Sequence, residues 1–308
     1  MNVAFVFAGQ GSQSIGMGKD FFENSQIAKD LIQSSSDKLK INFEKLLFSE
    51  NDNLNKTEFT QPAILLVSSI ALKLFKRSID IKPKFVLGHS LGEFSALVAT
   101  GMLDSGDGVE LTHKRGLFMS EACANIDAGM MALIGAKDDV VEKICENARK
   151  DGKQVWSANY NSYGQIVLAG IKDDLTSLEF EFKENGAKKA VLLNMSVASH
   201  CPLLESARSK LDEYLNLYLK DNFITPVISN VTAKKYSTKD EAVKLLSKQL
   251  VNPVLYKQSI ENIEDEIDLF IEFGNSSVLK GLNRRITKKP TINVSDIKSL
   301  EKALEQIQ

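Results

Sequence analysis

Short apolar runs alternate with longer stretches whose apolar residues recur at helical spacing along most of the 308 residues. That rhythm predicts an α/β fold with a mostly parallel sheet. Residues 3–7 read as a first buried strand that ends in the glycine loop Gly9-Gln10-Gly11-Ser12-Gln13. Helices are expected over residues 21–40 and 62–76, with Pro62 suited to a first turn. Residues 84–87 form a second strand and residues 93–100 a helix directly after it. Another helix spans residues 104–124, capped by Asp104 or Ser105.

The rhythm changes after residue 124. A strand over 130–136 is followed by a helix over 138–150. Strands over 154–160 and 165–170 flank the turn Asn161-Ser162-Tyr163-Gly164, and a helix over 175–185 leads to a strand over 189–194. The order βαββαβ is that of a ferredoxin-like unit. Residues 125–197 are therefore expected to form an inserted subdomain within a catalytic core made of residues 1–124 and 198–308. Helices over 203–219 and 239–250, a strand over 269–273 and a helix over 297–306 complete that core.

Composition narrows the function classes. With 43% apolar residues, 25% charged residues and a formal net charge of -2, nothing suggests a nucleic-acid partner. No stretch approaches the ~20 apolar residues needed to cross a bilayer, so no membrane partner is expected. Residues 1–7 lack a basic flank and are too short for a secretory signal. Three cysteines, without C-x-x-C spacing, read as free thiols in a reducing cytoplasm.

The chemistry centres on Ser90, in Gly88-His89-Ser90-Leu91-Gly92 between the second strand and its helix. A G-x-S-x-G in that context is a nucleophile elbow, whose glycines allow the sharp turn that exposes the hydroxyl. A turn serine with only a structural role is the competing reading. The serine needs a base. His89 adjoins it and is badly placed, and His113 lies mid-helix as a solvated residue. His200, in Val197-Ala198-Ser199-His200-Cys201-Pro202, follows the nucleophile as elbow enzymes require. No acid to orient His200 stands out: it is hidden among surface carboxylates, or a carbonyl oxygen takes its place. The N–H of Leu91 is one expected oxyanion donor, and the Gly9-Gln10-Gly11 loop offers the second. Ser14 at the third glycine position argues against a dinucleotide fingerprint.

Several blocks, taken together, are specific. They are Gly9-Gln10-Gly11-Ser12-Gln13, Thr60-Gln61-Pro62-Ala63, Gly88-His89-Ser90-Leu91-Gly92-Glu93, Lys114-Arg115-Gly116, Asn159-x-Asn161-Ser162, Ser199-His200 and Gln249-Leu250-x-x-Pro253-Val254. Over residues 5–286 the chain resembles the malonyl-CoA:acyl carrier protein transacylase family. The resemblance implies an α/β-hydrolase-like core interrupted by a ferredoxin-like subdomain. It also implies a ping-pong transfer of malonyl from malonyl-CoA through Ser90 to the phosphopantetheine thiol of an acidic acyl carrier protein, with no cofactor and no metal.

Under it, His200 is the base and a main-chain carbonyl matching Gln249 holds the imidazole. Gln10 and Leu91 supply the oxyanion donors, and Gln61 and Asn159 support the pocket. Arg115, by its residues alone half of a solvated Lys114-Arg115 pair, becomes the group that grips the free carboxylate of malonate. Departures from the pattern are Ala8, Ala198 and Tyr163 where proline is frequent, and Gly274-Asn275-Ser276-Ser277 where Gly-Pro-Gly-Lys is usual. A small Ser199 leaves room for methylmalonyl groups. Lys188-Lys189, Arg284-Arg285 and Lys288-Lys289 are the candidate basic rim for the carrier. A monomer is expected. A serine esterase or thioesterase shares the same nucleophile, and a carrier-binding scaffold with a dead site is the non-enzymatic alternative.

Overall fold

The computed structural model describes residues 1–221 and 223–307. In chain order the first part contains β1 (Val3–Phe7), α1 (Lys19–Asn24), α2 (Gln26–Leu39), α3 (Phe43–Phe48), α4 (Thr57–Ser78), β2 (Phe85–Gly88), α5 (Gly92–Thr100) and α6 (Ser105–Ala122). The middle contains β3 (Ala128–Ile134), α7 (Asp138–Lys150), β4 (Val155–Ser162), β5 (Gln165–Ile171), α8 (Lys172–Ser177), α9 (Glu179–Glu184) and β6 (Lys189–Leu192). The last part contains α10 (Glu205–Tyr218), β7 (Val227–Ile228), β8 (Lys235–Tyr236), α11 (Lys239–Gln249), α12 (Tyr256–Glu261), β9 (Leu269–Phe273), α13 (Val278–Ile286), β10 (Thr291–Val294) and α14 (Ile297–Ile307).

Every side chain of β1 is buried, and they alternate between two apolar clusters. Val3, Phe5 and Phe7 join one; Ala4 and Val6 join the other. A strand covered on both faces suits a parallel sheet with helices packed on each side. The larger sheet runs β10-β9-β1-β2-β7-β8, and every pairing is parallel except β7 with β8. A second sheet, β4-β5-β3-β6, is antiparallel throughout and has its own apolar core around Leu133, Val141, Leu168 and Phe182. Main-chain bonds tie β4 to the larger part: Val254 N–H donates to Ala158 O at 2.8 Å and Tyr160 N–H to Val254 O at 2.9 Å.

Several expected boundaries move. The helix expected over 21–40 is two helices, broken where Ser25 is extended at φ -142. Helix 62–76 starts five residues earlier, at Thr57, so Pro62 lies inside α4 rather than in its first turn. Proline cannot donate to the carbonyl four residues back, which is Glu58 O. His113 Nδ1 lies 2.7 Å from that oxygen, so this histidine is a partly buried helix-packing residue and not a solvated one. The helix of 175–185 divides into α8 and α9, and the β4–β5 turn shrinks to Tyr163-Gly164. By length and composition α4 passes as a membrane span, yet most of it is buried inside the protein. It is a core helix.

Gly274-Asn275-Ser276-Ser277 packs against the first glycine loop, with Asn275 Nδ2 donating to Ser12 O at 2.6 Å. Ser276 adopts φ 72, in the left-handed region, and its buried hydroxyl has no partner among the described residues. Glycine removes the Cβ clash, so Ser276→Gly is expected to stabilise the protein by about 1 kcal/mol. Thermal unfolding checks this; an unchanged or lower Tm would show that the loop carries no such strain.

Candidate active site

β2 ends at Gly88 and α5 begins at Gly92, so the chain reverses within three residues. A Cβ on Gly88 would stand 1.8 Å from the carbonyl carbon of Gly92, and a Cβ on Gly92 1.9 Å from Phe7 O. Only glycine fits at either position. The turn holds Ser90 at φ 54, a conformation that costs an L-residue about 1–2 kcal/mol. Side-chain amides hold it there. Ser90 N–H donates to Asn230 Oδ1 at 2.7 Å, Gln249 Nε2 donates to Ser90 O at 3.0 Å, and Asn230 Nδ2 donates to Gly88 O at 2.6 Å.

Ser90 Oγ lies 2.7 Å from His200 Nε2, and His200 Nδ1 lies 2.7 Å from the main-chain oxygen of Gln249. A carbonyl only accepts, so Nδ1 carries the proton and a neutral Nε2 is left to accept from the serine hydroxyl. Burial pushes His200 down to about 3, the nearby Arg115 charge adds to this, and the Gln249 carbonyl opposes it. The imidazole is thus uncharged at neutral pH, as a general base must be. Among the described residues no carboxylate bonds it. His89 is engaged elsewhere: its Nε2 lies 2.6 Å from Asn161 Oδ1, and burial lowers its pKa.

Arg115 is not half of a solvated pair. Packing of α4 on α6 buries its side chain to 1% exposure, while Lys114 reaches out over Tyr214. Its Nη1 donates to Gln61 Oε1 at 2.7 Å, and its Nη2 to Gln249 Oε1 at 3.0 Å and Ser90 Oγ at 3.3 Å. The guanidinium lies 5.3 Å over the Phe94 ring. Burial pushes it down to about 10 and Glu93 holds it up, so it stays charged at neutral pH. Among the described residues no carboxylate lies within ion-pair distance of it, and its Nε has no partner. A buried guanidinium in that state invites an anion.

Two N–H groups of residues that share a cavity with the Ser90 hydroxyl are unspent. In the elbow, His89 N–H donates to Phe7 O and Gly92 N–H to His89 O, while Leu91 N–H has no partner among the described residues. The same holds for Gln10 N–H; the Gln10 side chain bonds Thr57 Oγ1 at 3.1 Å. Gln10, Leu91, Ser90, His200 and Arg115 share a cavity of about 130 Å³, with apolar Met130 and Leu193 among its walls.

Gln61 and Asn159 are both buried; Asn159 lines the cavity and Gln61 bonds two residues that line it, Arg115 and Met119. Lys188, Lys189, Arg284, Arg285 and Lys288 are exposed and Lys289 is half-buried, with Arg285 Nη1 on Gln165 Oε1 at 3.1 Å. Two functional side chains escaped the sequence reading. Asn230 follows a strand of only two residues, too short to show alternation. Glu93 stands in the elbow block but reads as a first-turn helix acid; only the lack of any other charge over residues 90–100 hints that it is buried.

Residues 4–303 match the acyl transferase domain family. A malonyl CoA-acyl carrier protein transacylase of Bacillus subtilis (strain 168) is 38% identical over 99% of this chain and 97% of its own length. The crystal structure of a malonyl-CoA:acyl carrier protein transacylase from Helicobacter pylori superposes with a TM-score of 0.97. It is 48% identical and is covered to 98%, against 100% of this chain. A malonyl-transacylase solved in complex with its type II PKS acyl-carrier protein superposes at 0.95, with 34% identity over 99% of this chain and 100% of that one.

Proposed function

The chain belongs to the malonyl-CoA:acyl carrier protein transacylase family of acyl transferases, and on that premise we propose that it moves malonyl from malonyl-CoA to the phosphopantetheine thiol of acyl carrier protein through an ester on Ser90. The observation that carries this reading is Arg115: a buried cation with no carboxylate in direct contact among the described residues, 3.3 Å from the nucleophile. An acyl group ending in a carboxylate supplies what it lacks.

His200 Nε2 takes the Ser90 proton as Oγ attacks the thioester carbonyl. The oxyanion forms against the N–H groups of Gln10 and Leu91. Collapse breaks the C–S bond, and the departing CoA sulfur receives the proton from His200. The carrier thiol then repeats the sequence in reverse, giving its proton to His200 as it attacks the malonyl ester and returning Ser90 to its free hydroxyl. The Gln249 carbonyl keeps the imidazole in the tautomer both halves require.

The four-stranded sheet is read as a ferredoxin-like subdomain over residues 125–197, roofing a hydrolase-like core of residues 1–124 and 198–308. The strand order, the separate apolar core and Met130 and Leu193 over the cavity support that division. Such a roof excludes water and favours transfer over hydrolysis. The acidic carrier is taken to dock on the exposed basic pairs Lys188-Lys189 and Arg284-Arg285, and the cytoplasm is the expected place of action.

Malonyl-CoA is mixed with the enzyme with and without carrier protein bearing its phosphopantetheine, and malonyl-carrier and free malonate are followed. Malonyl-carrier is expected to form much faster than free malonate is released. Malonate release at the same rate with and without carrier would identify a thioesterase instead.

A further inference from the structure

We infer that Glu93 is a positioning residue for this reaction, a single buried carboxylate anchoring the amides that hold the nucleophile, the base and the carboxylate-binding guanidinium in register. The inference rests on the transacylase reading. Glu93 lies in the first turn of α5, three residues after Ser90, and is 1% exposed. Its Oε2 accepts from Asn230 N–H at 3.0 Å and Gln249 Nε2 at 2.8 Å, and its Oε1 accepts from the Tyr236 hydroxyl at 3.0 Å.

What those partners do next gives the carboxylate its reach. Asn230 holds both Ser90 N–H and Gly88 O. Gln249 donates to Ser90 O, accepts from Arg115 Nη2, and presents its main-chain oxygen to His200 Nδ1. Ser90 sits in strained backbone, so its main chain needs these bonds to stay in place. Loss of the Glu93 anchor loosens all three reacting groups through two side chains.

The network also fixes the protonation state it needs. Two of the three groups bonded to Glu93, the Asn230 N–H and the Gln249 amide, can only donate, which suits a carboxylate acceptor. The titratable groups facing Glu93 are Tyr236 from β8 and Arg115 from α6, while Asn230, after β7, and Gln249, at the end of α11, contribute amides. Burial pushes Glu93 up to about 7, against the pull of those donors and Arg115. His200, across Gln249, stays neutral down to about 3 and supplies no titration near neutrality. Protonation of Glu93 below about 7 removes the negative charge on which the amides converge, weakens those bonds and relaxes the register.

The test is kcat/KM for malonyl transfer to phosphopantetheinylated carrier between about pH 5.5 and 8.5, a range chosen to bracket the titration. The wild type is expected to lose activity below about 7 along a one-proton limb. Glu93→Gln should lower the plateau by about 10–100-fold, the effect of losing a hydrogen bond to a charged group, and erase the limb. Tyr236→Phe removes a donor that favours the ionised form, so its limb should move to higher pH. A merely structural role would lower the plateau and leave the limb where it is.

A wild type without the limb, a Glu93→Gln limb at the wild-type position, or an unmoved Tyr236→Phe limb each overturns the inference. If Glu93→Gln does not fold, Tyr236→Phe decides alone. Acylation of wild-type Ser90 by malonyl-CoA, read by intact mass, separates the two levels. If the ester forms and the limb does not behave as stated, only the role of Glu93 falls. If no ester forms at any pH, the transacylase reading falls and takes this inference with it.

Discussion

Ser90→Ala is expected to leave the protein folded and to abolish the covalent intermediate. After mixing with malonyl-CoA, intact-protein mass spectrometry should find one added malonyl group on the wild type and none on the variant. Turnover should fall by about 10⁵–10⁶-fold, the scale seen when the nucleophile of a serine–histidine pair is removed. The 2.7 Å contact between Ser90 Oγ and His200 Nε2 makes the pair one unit. His200→Ala should therefore cost nearly as much, and the double variant little more than either single one. A malonyl adduct on Ser90→Ala would place the nucleophile elsewhere and sink the proposal. Additive losses in the double variant would mean that the two side chains act separately.

The elbow is legible in the sequence because its constraints are local. Gly88 and Gly92 are required by contacts with their own turn and with β1, so the glycine spacing records the geometry directly. β1 and β9 are legible for a related reason: both are buried throughout, so β1 is an unbroken apolar run and β9 is apolar except for Glu272. β7 and β8, two residues each, are too short to carry a periodic signal, and the sequence reading passes over them along with β10.

The site is less legible where a side chain's partner is remote. Nothing near Arg115 in the chain marks it as buried, because the groups that enclose it, Gln61 and Gln249, are 54 and 134 positions away. The family resemblance singled it out; the helix pattern did not. For the support of His200 the residues alone leave an acid and a carbonyl both open, and only the resemblance points to Gln249. The imidazole's partner is a main-chain oxygen, which every residue has, so no side-chain type betrays it. Glu93 combines both problems, since an acid in a first helical turn looks like an ordinary response to the helix dipole.

Arg115→Ala is expected to separate malonyl from acetyl transfer. The guanidinium touches the nucleophile oxygen at 3.3 Å, so an acyl chain bonded to that oxygen and ending in a carboxylate can turn its free end onto the same group. An acetyl ester has nothing to place there. Removing one partner of a buried charge pair costs about 3–4 kcal/mol, or roughly 10²–10³-fold in kcat/KM for malonyl-CoA. In the proposed mechanism acetyl transfer makes no use of the guanidinium as a carboxylate partner and should change far less. That comparison also controls for folding, because Arg115→Ala leaves Gln61 Oε1 and Gln249 Oε1 without their donor and strips Glu93 of its counter-charge. Arg115→Lys keeps a charge but loses the planar fork that bonds Gln61 and Gln249 together, so its malonyl preference should fall between the two. Equal losses for malonyl-CoA and acetyl-CoA in Arg115→Ala would show that the guanidinium supports the pocket without binding the substrate carboxylate.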